Sequence, residues 1–365
     1  MAKLLILSDL NVPYRVEVFK GLSKAFDITT FFNGKGIKGS NPDWFCYPDS
    51  EFSFTVLDNE AGIAEYERQI AEITQFDAVL CYDPWHKRSR KLQRLCIRKR
   101  VPFILNADGV LHINTGLFKK TVKSYYVRHA ALCFAGCDKA VDYFKTYGAN
   151  KNKIVKHHFT SFYANKVLKE PYSNEQKSAF KRAIGFGNSF MFLAVGRFVR
   201  LKGFDLLLDA WSKTQQRAQL VIVGGGPLHS EYEDIIKKKL LKNVSVVGYV
   251  SQERLYDYYA AADAFVFPTK SDIWGLVVNE AMASGLPVIS SDRCTAGNEL
   301  IKQNVNGLIY NCYDVNKLAK YMMQAEQNSD MVKRMAVSAL NSIRNYTYED
   351  VINSHITSIK AIVQK

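Results

Sequence analysis

The sequence predicts an α/β protein of two doubly wound, Rossmann-like domains facing a central cleft, each domain a parallel sheet with helices on both faces. Three observations carry this. The chain has 365 residues, room for two ordinary domains. Short apolar runs alternate with amphipathic stretches, and then do so again, which is the pattern of parallel strands joined by helices. Between the two series lies a polar stretch, 166–189, containing Pro171, Ser173, Asn174, Gly185, Gly187 and Asn188.

In the first half the buried-strand candidates are 3–7, 28–32, 78–82, 102–106 and 131–134, with helices over 16–25, 61–74 and 88–100. The polar stretch reads as a linker with one short helix, 175–183. The second half opens with a strand at 190–195 that ends in Gly196, and a helix follows at 204–211, with Phe204, Leu207, Leu208 and Trp211 on one face. Further strands are expected at 220–223, 244–247, 264–267 and 287–290, and helices at 231–241, 252–262 and 276–284, the last closed by Gly285. Ile352, Ile356, Ile359 and Val363 make the final segment an amphipathic helix. The boundaries so read are an N-terminal domain 1–170, a linker 171–189, a C-terminal domain 190–345 and a terminal helix 346–365 that packs back on the first domain.

Composition excludes other classes. With 47% hydrophobic and 23% charged residues the chain is neither disordered, collagenous nor a coiled coil. No apolar run approaches the ~18 residues of a membrane span. Met1 to Leu10 holds only the short run Leu4 to Leu7 and reads as a first strand rather than a leader. The 49 Lys and Arg against 35 Asp and Glu leave a charge of +14, a surface that seeks anions. Seven cysteines form no disulfide framework and no zinc spacing, so no metal is expected.

Four features fall at strand ends, where a doubly wound sheet binds its ligand. Gly196 and Arg197, followed by Lys202 and Gly203, can converge on one anion, Arg as a bidentate donor and Lys as a point charge; general surface basicity is the competing reading. Gly224, Gly225 and Gly226 can line a phosphate or base pocket, or simply make a tight turn. Asp272 and Glu280 flank Gly275 and Leu276 near a helix N-terminus, whose free N–H groups attract phosphate oxygen. A carboxylate among Val277, Val278, Ala281 and Met282 needs hydrogen-bond donors, and sugar hydroxyls supply them. The fourth, Pro287 to Asp292 with Gly297 to Leu300, reads as strand, loop and helix. No D-x-D metal-bridging pair occurs in the chain.

With these motifs in order (VGRF…KG, LVIVGGGP, VVGYVSQERLYDYYAAADAFVFPT, SDIWGLVVNEAMASGLPVI and ELI…NGLIY), the second half resembles the group 1, or family 4, retaining glycosyltransferases of the GT-B fold. Pro13-Tyr14-Arg15, Asn106-Ala107-Asp108-Gly109 and Phe159-Thr160-Ser161 are similar to its bacterial capsular and exopolysaccharide branch. The resemblance implies a nucleotide-sugar donor, UDP-sugar foremost, and no cofactor. Arg197 and Lys202 would clamp the diphosphate and Asp272, where the family usually has Glu, would contact the donor sugar. Glu280 would hold the ribose, Gly275 and Leu276 would donate N–H groups, and Gly196, Gly225 and Val250 would border the nucleotide. The N-domain histidine of the family has no match; Asp108 is the substitute, with His112 near. The alternatives are a non-catalytic partner subunit of the same fold and a nucleotide-sugar epimerase.

One cluster remains. Lys87, Arg88, Arg90, Lys91, Arg94, Arg98, Lys99 and Arg100 stand within fourteen residues without an acid, preceded by Trp85 and followed by Lys119, Lys120, Lys123 and Arg128. A basic helix with aromatics suits an anionic membrane surface, where a lipid-linked saccharide acceptor resides; a solvated helix packed by Leu92, Leu95 and Cys96 is the rival. Nucleic acid is not expected, since no recognition signature accompanies the charge. The expected location is the cytoplasm, peripherally on the inner face of the cell membrane.

Overall fold

The computed structural model describes residues 1–34, 52–109 and 116–364; His112 lies outside them. The chain forms two compact units, 1–161 with 346–365, and 162–345. In the first, the order is β1 (Lys3–Leu10), α1 (Pro13–Ser23), β2 (Asp27–Gly34), β3 (Phe54–Val56), α2 (Glu60–Ala71), β4 (Ala78–Cys81), α3 (Lys87–Lys99), β5 (Phe103–Ala107), α4 (Leu117–His129), β6 (Leu132–Ala135), α5 (Asp138–Thr146) and β7 (Ile154–Lys156). The strands pair in parallel in the order β3-β2-β1-β4-β5-β6-β7. Central strands such as β4 and β6 are buried along their whole length, which is why they read as unbroken apolar runs.

The second unit runs α6 (Asn174–Ala183), β8 (Met191–Val195), α7 (Phe204–Trp211), β9 (Gln219–Val223), α8 (His229–Lys238), β10 (Val244–Val247), α9 (Gln252–Ala261), β11 (Ala264–Phe267), α10 (Leu276–Ala283), β12 (Val288–Ser291), α11 (Thr295–Leu300), β13 (Gly307–Tyr310), α12 (Val315–Gln327) and α13 (Ser329–Ile343). Its parallel sheet has the order β10-β9-β8-β11-β12-β13. One core cluster joins Phe192, Ile222 and Val266 of the strands to Leu207, Trp211, Leu318 and Met322 of the helices. The last helix, α14 (Tyr348–Val363), belongs to the first unit. Its Val351 and Ile359 join the β1 and α1 core, and a Cβ on Gly21 of α1 would meet Ile352 at 2.3 Å.

The expected linker 171–189 is instead part of the second unit, whose boundary falls at Ser161 and Phe162. Ser173 and Gln176 form a reciprocal capping box that starts α6. The helix is then pinned by charge: Lys181 Nζ donates to Asp263 Oδ2 at 2.6 Å and to the Ser189 carbonyl at 2.9 Å, and the backbone N–H of Met191 donates to the same carboxylate oxygen at 2.8 Å. Lys177 stands 3.6 Å from the other oxygen. Both lysines are buried, so a helix that looks solvated by composition is a packed element.

Candidate active site

The chain leaves β8 toward β9 and β10, then returns to lay β11 on the other side of β8. The loops after β8 and β11 therefore diverge from adjacent strands, the topological switch point at which doubly wound sheets bind ligands. Gly196, Arg197 and Lys202 follow β8; Asp272, Gly275 and Leu276 follow β11, and Glu280 lies on α10.

The loop after β8 is anchored from below. Phe198 is fully buried and packs edge-on against Phe204 and Tyr232, and its N–H donates to the Gly225 carbonyl at 2.7 Å. Gly224, at φ +148°, is needed for this contact, because a Cβ there would sit 1.9 Å from the Gly196 carbonyl oxygen. Of the basic residues that follow, most are neutralised: Arg200 by Glu231 at 3.1 Å, Lys270 by Asp205 at 2.6 Å, and Lys202 by Asp272. Among the described residues the half-buried Arg197 guanidinium has no such partner.

Asp272 is held by its backbone. Its N–H donates to the Arg293 carbonyl at 3.1 Å, and its own carbonyl accepts from the Thr295 hydroxyl at 3.3 Å. Oδ1 accepts from the Trp274 N–H at 3.3 Å and Oδ2 takes Lys202. Gly275 then turns the chain into α10 at φ +101°; a Cβ there would meet Cys294 Sγ at 2.8 Å. Burial pushes the Cys294 thiol up to about 12, and it makes hydrogen bonds to the Trp274 carbonyl and the Gly297 N–H, so it serves as packing beneath the loop. The N-terminus of α10 thus opens beside the Lys202–Asp272 pair.

Glu280 is half-buried on α10, and its Oε2 accepts from the Tyr259 hydroxyl at 3.0 Å. Burial, reinforced by that carboxylate, pushes the Tyr259 hydroxyl well above its ordinary range, so it stays a donor. Val250 follows β10 and is half-buried. Beside it the Tyr249 ring lies against Gly225, where a Cβ would come within 2.5 Å of it. The second unit thus brings together Gly196, Arg197, Lys202, Asp272, Gly275, Leu276 and Glu280 at the β8 and β11 ends, with Gly225 and Val250 on the adjoining strand ends. Sequence reasoning missed Tyr259 and Tyr249. Tyr259 stands among three tyrosines in YDYYAA on α9, a density that is a signal in retrospect.

Asp108 lies in the first unit, after β5. Its carboxylate is taken on both oxygens: Asn106 Nδ2 donates to Oδ1 at 2.7 Å and Arg15 Nη2 to Oδ2 at 3.1 Å. Arg15 is buried, touches Asp9 and Ser8 as well, and lies over the Tyr82 ring at 5.3 Å. The β1, β4 and β5 ends therefore form a second polar cluster. Among the described residues no three His, Cys, Asp or Glu side chains converge as a metal site.

On α3, Ser89, Leu92, Gln93 and Cys96 are buried, while Lys87, Arg90, Lys91, Arg94, Arg98, Lys99 and Arg100 are exposed and Arg88 is half-buried. Lys91 pairs with Glu67 at 3.1 Å and Arg94 Nε donates to the Tyr126 hydroxyl at 3.2 Å, so part of the charge is tied to α2 and α4. Trp85 is half-buried: its ring stands against Tyr143, with Lys123 Nζ 5.2 Å above it. Exposed large apolar residues instead stand at the start of α4, Leu117 and Phe118, 85% and 82% exposed, next in sequence to Lys119 and Lys120. Among the described residues no helix is long and apolar enough to cross a membrane.

Residues 176–341 match the family described as glycosyl transferases group 1. Alpha-monoglucosyldiacylglycerol synthase of Acholeplasma laidlawii is 26% identical over 202 residues, 54% of this chain and 50% of the relative. An uncharacterized 41.2 kDa protein in the cps region of Klebsiella pneumoniae is 26% identical over 215 residues, 59% of this chain and 57% of the relative. The chain thus spans about half the length of the curated relatives it matches. The crystal structure of Anabaena HepE in complex with UDP superposes with a TM-score of 0.75 over 97% of this chain and 98% of that one, at 17% identity. The match thus covers residues 176–341, under half of the chain, and the two parallel-sheet units have the GT-B fold.

Proposed function

We propose that the protein is a retaining glycosyltransferase that moves a sugar from a nucleotide-sugar, foremost a UDP-sugar, to a lipid-linked saccharide in surface-polysaccharide synthesis. The observation that carries this reading is the meeting, at the β8/β11 switch point, of the unpartnered Arg197, of Lys202 and Asp272, and of the α10 N-terminus. Arg197 forks onto the diphosphate, Lys202 and the α10 N–H groups add to it, and Asp272 and Glu280 accept from sugar and ribose hydroxyls. The acceptor hydroxyl attacks the anomeric carbon on the face the diphosphate leaves. The bond to the phosphate oxygen breaks as the new glycosidic bond forms, and the departing phosphate takes the hydroxyl proton. Electrostatic stabilisation of the leaving group supplies the rate, without a metal ion. In this reading Asp108, fixed by Arg15 and Asn106, positions the acceptor.

The UDP in the HepE structure supports the donor class, the diacylglycerol glycolipid in the Acholeplasma relative's name supports an acceptor at a membrane, and the cps region of the Klebsiella relative supports the polysaccharide role. The basic face of α3 and α4 would hold the protein peripherally to an anionic leaflet. The test is donor hydrolysis by purified protein across UDP-, GDP- and dTDP-sugars. Arg197→Ala should cut kcat/KM tenfold or more, in keeping with about 1.5–3 kcal/mol for a charge-assisted hydrogen bond. Glu280→Gln should weaken both free nucleotide and donor. Hydrolysis of none of these sugars would overturn the reading, and activity lost to EDTA and restored by Mn²⁺ would refute its metal-free part.

A further inference from the structure

Lys202, the second cation of the proposed diphosphate clamp, is not available as the protein stands: it is spent on Asp272. Each side chain of this pair is 17% exposed, too enclosed for a solvated surface contact yet still open to a ligand from one side. We infer that Lys202 and Asp272 form an exchange latch, in which the diphosphate of the donor takes Lys202 away from Asp272 and thereby releases the carboxylate to receive the donor sugar. The inference rests on the transferase reading and deepens it.

Two features decide which partner moves. Asp272 is fixed, since its N–H is bound to Arg293 in the loop after β12, its carbonyl to Thr295 at the start of α11, and its Oδ1 keeps the Trp274 N–H. Lys202 ends a single helical turn at the tip of the β8 loop, before Gly203 at φ +68°, and its Nζ stands 5.2 Å over the Phe267 ring. A flexible four-carbon stem on a loop can swing where a clamped aspartate cannot. Charge supplies the direction. The pair is neutral in sum, and of the three cations in the loop after β8, Arg197, Arg200 and Lys202, only Arg197 has no ion-pair partner among the described residues. Transfer of Lys202 doubles the cationic charge on the phosphates and leaves Oδ2 of Asp272 with an unused lone pair. A sugar hydroxyl can donate to that oxygen, whereas free nucleoside diphosphate offers no such group there. Free nucleoside diphosphate therefore bears the cost of opening the pair without recovering it, and the donor recovers it through its sugar.

The sign of one substitution separates this from a plain binding role. Asp272→Asn keeps the acceptor for Trp274 and removes the competitor for Lys202. It should tighten free UDP by up to about fivefold, the upper range of a partly exposed ion pair, while weakening UDP-sugar relative to UDP. Asp272→Ser should shift UDP in the same direction. With Lys202→Met already in place, Asp272→Asn should leave UDP affinity unchanged. Calorimetric titration of UDP and of UDP-sugar into the wild type and these four variants reads all of this. An unchanged or weaker Kd for UDP in Asp272→Asn, or equal tightening with and without Lys202, overturns the latch while leaving the transferase reading intact. A wild-type protein that binds none of UDP, GDP and dTDP overturns both.

Discussion

Acidification should loosen the first unit through two buried imidazoles. His355 on α14 is fully buried, stacked on Phe134 at 3.8 Å, with Nδ1 2.9 Å from the Val351 carbonyl and Nε2 3.4 Å from the Tyr82 hydroxyl. His157, just after β7, is 5.0 Å away ring to ring, and among the described residues neither of its nitrogens has a hydrogen-bond partner. The titratable and charged groups around them are Asp108 and Arg15 behind Tyr82, and His158, whose Nδ1 lies 2.6 Å from Asp350 Oδ2. Burial holds both imidazoles down at about 3, against an ordinary value near 6.5. The folded unit therefore excludes two protons that the unfolded chain takes up below that ordinary value. The stability this represents is fully present above about pH 6.5 and is lost as the pH falls. At about 1.4 kcal/mol per pH unit for each group, going from pH 7.5 to 5.0 costs about 4 kcal/mol, a large share of an ordinary domain's stability. Urea unfolding at the two pH values, with hydrogen exchange of the α14 amides to isolate this unit, measures the loss. His355→Phe should halve it, whatever it does to stability at pH 7.5. An equal shift in both proteins, or no shift in the wild type, refutes the reasoning.

Changing Arg90, Lys91, Arg94 and Arg98 to Gln should release the protein from anionic vesicles and leave turnover of a soluble acceptor analogue intact. Leu117→Ser with Phe118→Ser should weaken vesicle binding in a manner nearly independent of salt; wild-type protein that ignores anionic vesicles at low salt would refute both expectations. In the second unit, Lys181→Met leaves Asp263 with less than its full complement of donors in a buried site and should cost about 3–5 kcal/mol in urea unfolding, and adding Asp263→Asn should restore part of it. A loss below about 1 kcal/mol would mean that α6 is held by its apolar contacts instead.

What the sequence disclosed and what it hid divide along a physical line. Strands buried on both faces and helices with a single apolar stripe announce themselves, so most strands of the two parallel sheets, helices such as α3, α7 and α10, and α14 were legible, whereas α4, α5, α12, α13 and β13 were not. The three-residue edge strands β3 and β7 are only half-buried and left no unbroken apolar run to read. Helix α6 was expected at 175–183 but placed in a linker, because its inward residues are Lys177 and Lys181, which composition assigns to solvent until Asp263, eighty-two residues beyond Lys181, is seen to meet them. The same blindness governed the site. Gly196, Arg197, Lys202, Asp272 and Glu280 could be named from motifs, because strand ends and helix starts fix where such residues stand. Which of them carries a usable charge could not, since Lys202 and Asp272 lie seventy residues apart, as Arg15 and Asp108 lie ninety-three apart. A net charge of +14 describes the whole surface, but a ligand meets only the cations that the fold has left unpaired. In the loop after β8, Arg197 is left without an ion pair among the described residues, while Lys202 is paired with Asp272. In the proposed latch, recognition there would be a competition between carboxylate and phosphate for one ammonium group, its outcome set by what else the ligand brings to the carboxylate it displaces.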